Sequence, residues 1–114
     1  GKHCHISGGV GIGGVLEPAH ASPVVIEDHV FVGGLCGVFE GVVVRQRAVL
    51  AAGVVLTAAV RIHDLVHERL SVGEVPAGAV VVPGTRPAPG PYAEHHGLQV
   101  GTVLIVKYRD ERTD

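Results

Sequence analysis

Two glutamates, a few histidines, two cysteines and one lysine carry most of the chemistry open to this sequence. Glu17 and Glu40 fall in one column of a six-residue repeat, in successive turns of the chain. They form either a shared acidic patch or two solvated side chains. His20 lies between Pro18 and Pro23, a loop position suited to substrate contact or to plain exposure. His63 and His67 have the i, i+4 spacing of a helical metal pair, but no third ligand goes with them, so no metal site is expected. Gly9, Gly11 and Gly14 make a formal GxGxxG. No βαβ pattern follows it, so tight turns and close ligand approach explain these glycines better than a dinucleotide fingerprint.

These groups are positioned by a ladder. Every sixth residue from Ile26 gives Ile26, Val32, Val38, Val44, Leu50, Leu56 and Ile62, all branched aliphatics. Four residues after each of the first six rungs comes Val30, Cys36, Val42, Ala48, Val54 or Val60. Neither a helix nor an alternating strand has that period; a parallel β-helix built from hexapeptides does. The rung points inward, the small residue fills a corner, and three hexads complete a coil. Coils stack at ~4.8 Å, so each rung is buried by its neighbours. Ile6 and Ile12 extend the rungs upstream, with Cys4, Val10 and Leu16 at corners. Cys4 and Cys36 then stand in different columns, and buried thiols are expected rather than a disulfide.

Composition agrees. Aromatics are 4% of 114 residues and Gly numbers 17, which suits narrow coils that bend often. The net charge of −2 implies no basic face for nucleic acid. No apolar run is long enough to span a bilayer and no signal peptide is visible, so a cytoplasmic location is expected. Gly1 fits as the second residue of a hexad, so a piece of a longer solenoid is expected. The β-helix domain is assigned to 1–86, with ejected loops at 18–25 and 63–74. Pro83–Pro91, with four prolines, reads as a stiff connector that ends the solenoid, and 87–114 is assigned to the C-terminal connector, strand and charged tail.

The string His5-Ile6-Ser7-Gly8-Gly9-Val10-Gly11-Ile12-Gly13-Gly14-Val15-Leu16-Glu17-Pro18 closely resembles the central segment of tetrahydrodipicolinate N-succinyltransferase. So do Ile26-Glu27-Asp28, Glu40-Gly41-Val42, the Val75–Val81 stretch and Leu104-Ile105-Val106-Lys107. The resemblance implies an all-β, left-handed parallel β-helix and a homotrimer with the ligand site between subunits. It also implies succinyl transfer from succinyl-CoA, a co-substrate rather than a resident cofactor, to a cyclic dicarboxylate opened to its amine. That step belongs to diaminopimelate and lysine synthesis. Gly53, Ala77, Gly84 and Lys107 match positions near the CoA path, and a cation at Lys107 suits CoA phosphates. The family carries an Arg and a Glu where this chain has Leu35 and Gly37. The bases left are Glu40, Glu17 and His20. The alternative is an inactive trimeric scaffold, or a truncated fragment, derived from such an enzyme.

Overall fold

The computed structural model describes residues 1–13 and 23–110. Its elements are β1 (His5–Ile6), β2 (Gly11–Gly13), β3 (Val25–Ile26), β4 (Phe31–Val32), β5 (Gly37–Phe39), β6 (Val43–Val44), β7 (Val49–Leu50), β8 (Val55–Leu56), β9 (Arg61–Asp64), β10 (Arg69–Val72), β11 (Glu74–Val75), β12 (Ala79–Pro87), α1 (Pro91–His96) and β13 (Gln99–Tyr108).

Each hexad through the repeat is a short strand followed by a turn. In five successive turns the residue just before the corner is left-handed. His29, Leu35, Gly41, Arg47 and Gly53, six residues apart, have φ of 60°, 62°, 80°, 62° and 81°. The corner N–H then closes the turn: Val42 donates to Phe39 O, Ala48 to Arg45 O and Val54 to Ala51 O. Glycine takes this conformation freely, whereas a side chain there costs ~1–2 kcal/mol. At His29, Leu35 and Arg47 the ladder on both sides holds the backbone against that cost.

Parallel pairing joins residues eighteen apart: Val25 with Val43, Phe31 with Val49 and Gly37 with Val55. Eighteen is three hexads, so successive strands fall in turn on three sheets. One holds β1, β4, β7 and β12, the second β2, β5 and β8, the third β3, β6 and β11. Pairs across the first interruption are 26 apart, as in His5 with Phe31 and Gly11 with Gly37. Pairs across the second are 31 apart, as in Val43 with Glu74 and Val49 with Val80. Eight and thirteen extra residues are thus passed without loss of phase. Outward side chains stack in the same way. The His5 and Phe31 rings lie 4.8 Å apart and nearly parallel, as do His3 and His29 at 5.1 Å.

The rungs Val32, Val38, Val44, Leu50, Leu56 and Ile62 are fully buried, as are the corners Val30, Cys36, Val42, Ala48 and Val54. Val75, Val81, Val103 and Ile105 continue this core. Both cysteines are free, and their thiols donate to carbonyls, Cys4 to Glu27 O and Cys36 to Ala51 O. The first coil departs from expectation. Ile6 is 48% and Ile12 43% exposed, because β1 and β2 each have a strand neighbour on one side only.

The expected loop over 63–74 is largely a hairpin. β9 and β10 pair antiparallel, Asp64 facing Arg69, and β9 joins the first sheet beside β13. The proline-rich stretch is not a free connector either. Pro83 to Pro87 form the far half of β12, paired with β13. Pairing with β7 covers only Val80 and Val81, so these prolines leave no ladder bond unmade on that edge. α1 follows, with Pro91 in its first turn and Gly97 in the left-handed conformation at its end.

The stack fixes which rungs matter. Leu50→Ala is expected to cost ~2–5 kcal/mol in urea unfolding. Ile6→Ala, in the half-covered first coil, is expected to cost under ~1.5 kcal/mol, less than the full burial value of such a side chain. Equal costs would show that the coils do not bury one another in this way.

Candidate functional site

Two grooves are lined by residues of β8 and of the turn that follows it. The first, about 320 Å³, is walled by Gly53, Val55 and Val60 on one side and by Pro83, Gly84, Gly101 and Thr102 of the β12–β13 pair on the other. The second, about 460 Å³, is walled by Phe39, Glu40, Thr57, Ala58 and Ala59. A Cβ on Gly84 would lie 2.7 Å from a Leu104 methyl, and Gly53 has φ 81°.

The expected CoA-contacting residues divide into two groups. Gly53 and Gly84 share the first groove. Lys107 faces Val80 across the β12–β13 pair and lines a depression of about 400 Å³ with Phe31, Val49, Val80 and Arg109. Ala77 is exposed on the neighbouring turn, which is tied to the end of β13 by the Arg109 N–H donating to Gly78 O at 2.7 Å. From Val80 to Gly84 an extended strand advances ~13 Å, so an elongated ligand could follow β12 between the two groups. Of the expected bases, Glu40 lines the second groove, whereas Glu17 and His20 lie outside the described residues.

Gly37 is buried, and a Cβ there would lie 2.8 Å from Phe39 Cε2. The Phe39 ring therefore lies over the position next to the second groove. Leu35, two residues earlier, is 74% exposed. The backbone N–H groups of Gly11, Gly37 and Gly53 donate to Cys36 O, Val54 O and Gly34 O. The ladder occupies these N–H groups, so they are not open to a ligand. Phe39 and the Thr57–Ala59 turn escaped sequence reading. Their only signal was an outward position in the period.

Among the described residues, the most strongly perturbed ionisable group lies elsewhere, in the β9–β10 hairpin. The Asp64 side chain is fully buried. It accepts hydrogen bonds from the Val66 and His67 N–H groups at 3.0 and 3.1 Å, from His67 Nδ1 at 2.9 Å and from the Tyr108 hydroxyl at 2.5 Å. Arg69 Nε is 3.4 Å away. Burial alone would push this carboxyl up. The hydrogen bonds, Tyr108 first and then His67, outweigh it and hold the group well below the usual carboxylate range. Burial and the bond to Asp64 raise the Tyr108 phenol. Asp64 thus pins the hairpin turn to β13. His67, read in sequence with His63 as a metal spacing, spends Nδ1 on this pin. Among the described residues no group of three or more His, Cys, Asp or Glu is placed to hold a metal ion. Nor, among them, is any helix long and apolar enough to cross a membrane.

The model for the hexapeptide repeat of succinyl-transferase matches residues 23–58, which hold β3 to β8. The chain is 51% identical over 113 residues to the 2,3,4,5-tetrahydropyridine-2,6-dicarboxylate N-succinyltransferase of Afipia carboxidovorans, covering 99% of this chain and 40% of the relative. Along nearly its whole length the chain is thus similar to a segment of this N-succinyltransferase. The enzyme of the same name from Bradyrhizobium diazoefficiens matches at 51% over the same shares. Protein TabB of Pseudomonas amygdali pv. tabaci matches at 52% over 110 residues, 96% of this chain and 38% of that protein. The chain thus spans about 40% of the length of these curated relatives.

The Asp64 pin gives a pH test. The unfolded chain protonates Asp64 near pH ~3.9, the folded chain only at lower pH. The stability it adds is therefore complete above pH ~5 and drains away as pH falls below ~4. Asp64→Asn is expected to lower stability at pH 7 by ~1–3 kcal/mol and to flatten the acid limb of a stability–pH profile from urea titrations. An unchanged acid limb would remove Asp64 from this role.

Proposed function

We propose that this chain is the ligand-carrying segment of an N-acyltransferase, folded as a left-handed parallel β-helix and acting as a homotrimer with its site between subunits. The donor is succinyl-CoA. The reference acceptor is the tetrahydropyridine dicarboxylate in the relatives' name, which would put the chain in diaminopimelate and lysine synthesis, in the cytoplasm. One observation carries the reading: half-identity to these enzymes along almost the whole chain, with the Gly53–Gly84 groove beside the Glu40 groove at β8.

In this reading the donor lies along β12, its reactive end in the Gly53–Gly84 groove and its phosphates toward Lys107 and the Ala77 turn. Glu40 takes a proton from the acceptor ammonium. The freed amine attacks the thioester carbonyl and the carbon–sulfur bond breaks. The second nitrogen proton goes to the departing thiolate, leaving an amide and a free thiol. Holding amine and thioester side by side across β8 would supply much of the rate. Glu17 and His20 remain alternative bases.

A second reading, a non-catalytic trimeric scaffold, is favoured by Gly37 and the Phe39 ring covering it, since neither can accept a proton. A thiol-release assay with succinyl-CoA separates the two. The transferase reading expects turnover that falls at least tenfold in Glu40→Gln, and weaker CoA-dependent thermal stabilisation in Lys107→Ala. Stabilisation by CoA without turnover supports the scaffold, and Leu35→Arg with Gly37→Glu would then be expected to raise activity. For assembly, light scattering at micromolar chain is expected to give three times the chain mass; a monomer mass counts against the trimer.

A further inference from the structure

We propose that the groove at Phe39, Glu40, Thr57, Ala58 and Ala59 binds an amine with an apolar body, its ammonium on Glu40 and its hydrocarbon against the Phe39 ring. Four of the five walls are a ring, two alanine methyls and a threonine. The fifth is a half-buried carboxylate with no hydrogen bond or ion pair among the described residues. Other carboxylates on the repeat are taken. Glu27 and Glu74 hold Arg45, Asp28 accepts from the Lys2 N–H, and Asp64 is the hairpin pin. Glu40 alone of these is left to meet a ligand.

The charge of that ligand follows from what surrounds Glu40. The two turns and strands that form this face, residues 34–41 and 53–60, contain no Lys or Arg. Arg61, the next cation along the chain, begins β9 in another sheet and does not line the groove. Among the described residues, a dicarboxylate placed here would meet one negative charge and no positive one. An ammonium would meet its opposite at the rim of an apolar wall, where an aromatic face adds further attraction for a cation. Volumes of this order suit small ligands. The groove's ligand class stands on these contacts alone. That the bound amine is the acyl acceptor rests on the transferase reading.

The test is a set of nitrogen–proton NMR titrations of the full chain with 2-phenylethylamine, hexylamine, hexanoate and heptanedioate. Both amines are expected to shift the Glu40, Gly41, Ala58 and Ala59 amides, with Kd at least tenfold below that of either carboxylate. Glu40→Gln, at a residue without described partners, is expected to leave the unfolding midpoint unchanged and to weaken amine binding at least tenfold. Phe39→Ala is expected to weaken both amines. Equal binding of heptanedioate, amine binding indifferent to Glu40→Gln, or no amine-induced shift at millimolar concentration would each overturn the inference. If amines bind but give no thiol release with succinyl-CoA, the groove stands and the transferase reading falls. If the dicarboxylate acceptor turns over while amines neither bind nor react, the reverse holds.

Discussion

Vertical registry of the backbone governs this molecule. A strand of two residues makes too few hydrogen bonds to persist by itself. It persists here because the strand eighteen residues on offers the same bonds again, and the rung beneath it is sealed by the rung above. Burial of each aliphatic rung contributes ~1.5–3 kcal/mol. None of that is available to a coil standing alone, as half-exposed Ile6 and Ile12 illustrate. The same registry sets the outer surface. It stacks His5 on Phe31, and it brings Glu40 beside a turn that lies far off in the chain.

What sequence could reveal follows the same division. The ladder from Val32 to Ile62, the eighteen-residue pairing period and the separate thiols were legible because each depends on a period repeated many times. The left-handed residues were legible at Gly41 and Gly53 and hidden at His29, Leu35 and Arg47, where stacking overrides local preference. Hidden too was the hairpin over 61–72, whose turn depends on Asp64 meeting Tyr108, 44 residues away. Prolines at 83 and 87 read as a connector. Only the long partner β13, with nothing on the opposite edge, makes them strand residues. Of the groove-lining residues, Gly53 and Gly84 were singled out by the resemblance and Glu40 as a carboxylate of the repeat. Phe39 was not, since its effect comes from folding back over Gly37.

The Arg45 bridges to Glu27 and Glu74 show how little of this stability comes from surface charge. All three side chains are a third or more exposed, and such pairs are worth little in water. They tie neighbouring coils at one corner without setting the order of the stack. The dry column does that, and it leaves the outer positions open to change in chemistry.

Both interruptions return the chain to phase, after eight residues in one case and thirteen in the other. Frame and outgrowth are therefore separable. A segment of different length or composition can replace either insertion at the cost of loop closure, which grows only with the logarithm of length. New specificity in such a lineage can arise by exchanging appendages at the corners while the spiral itself is inherited intact.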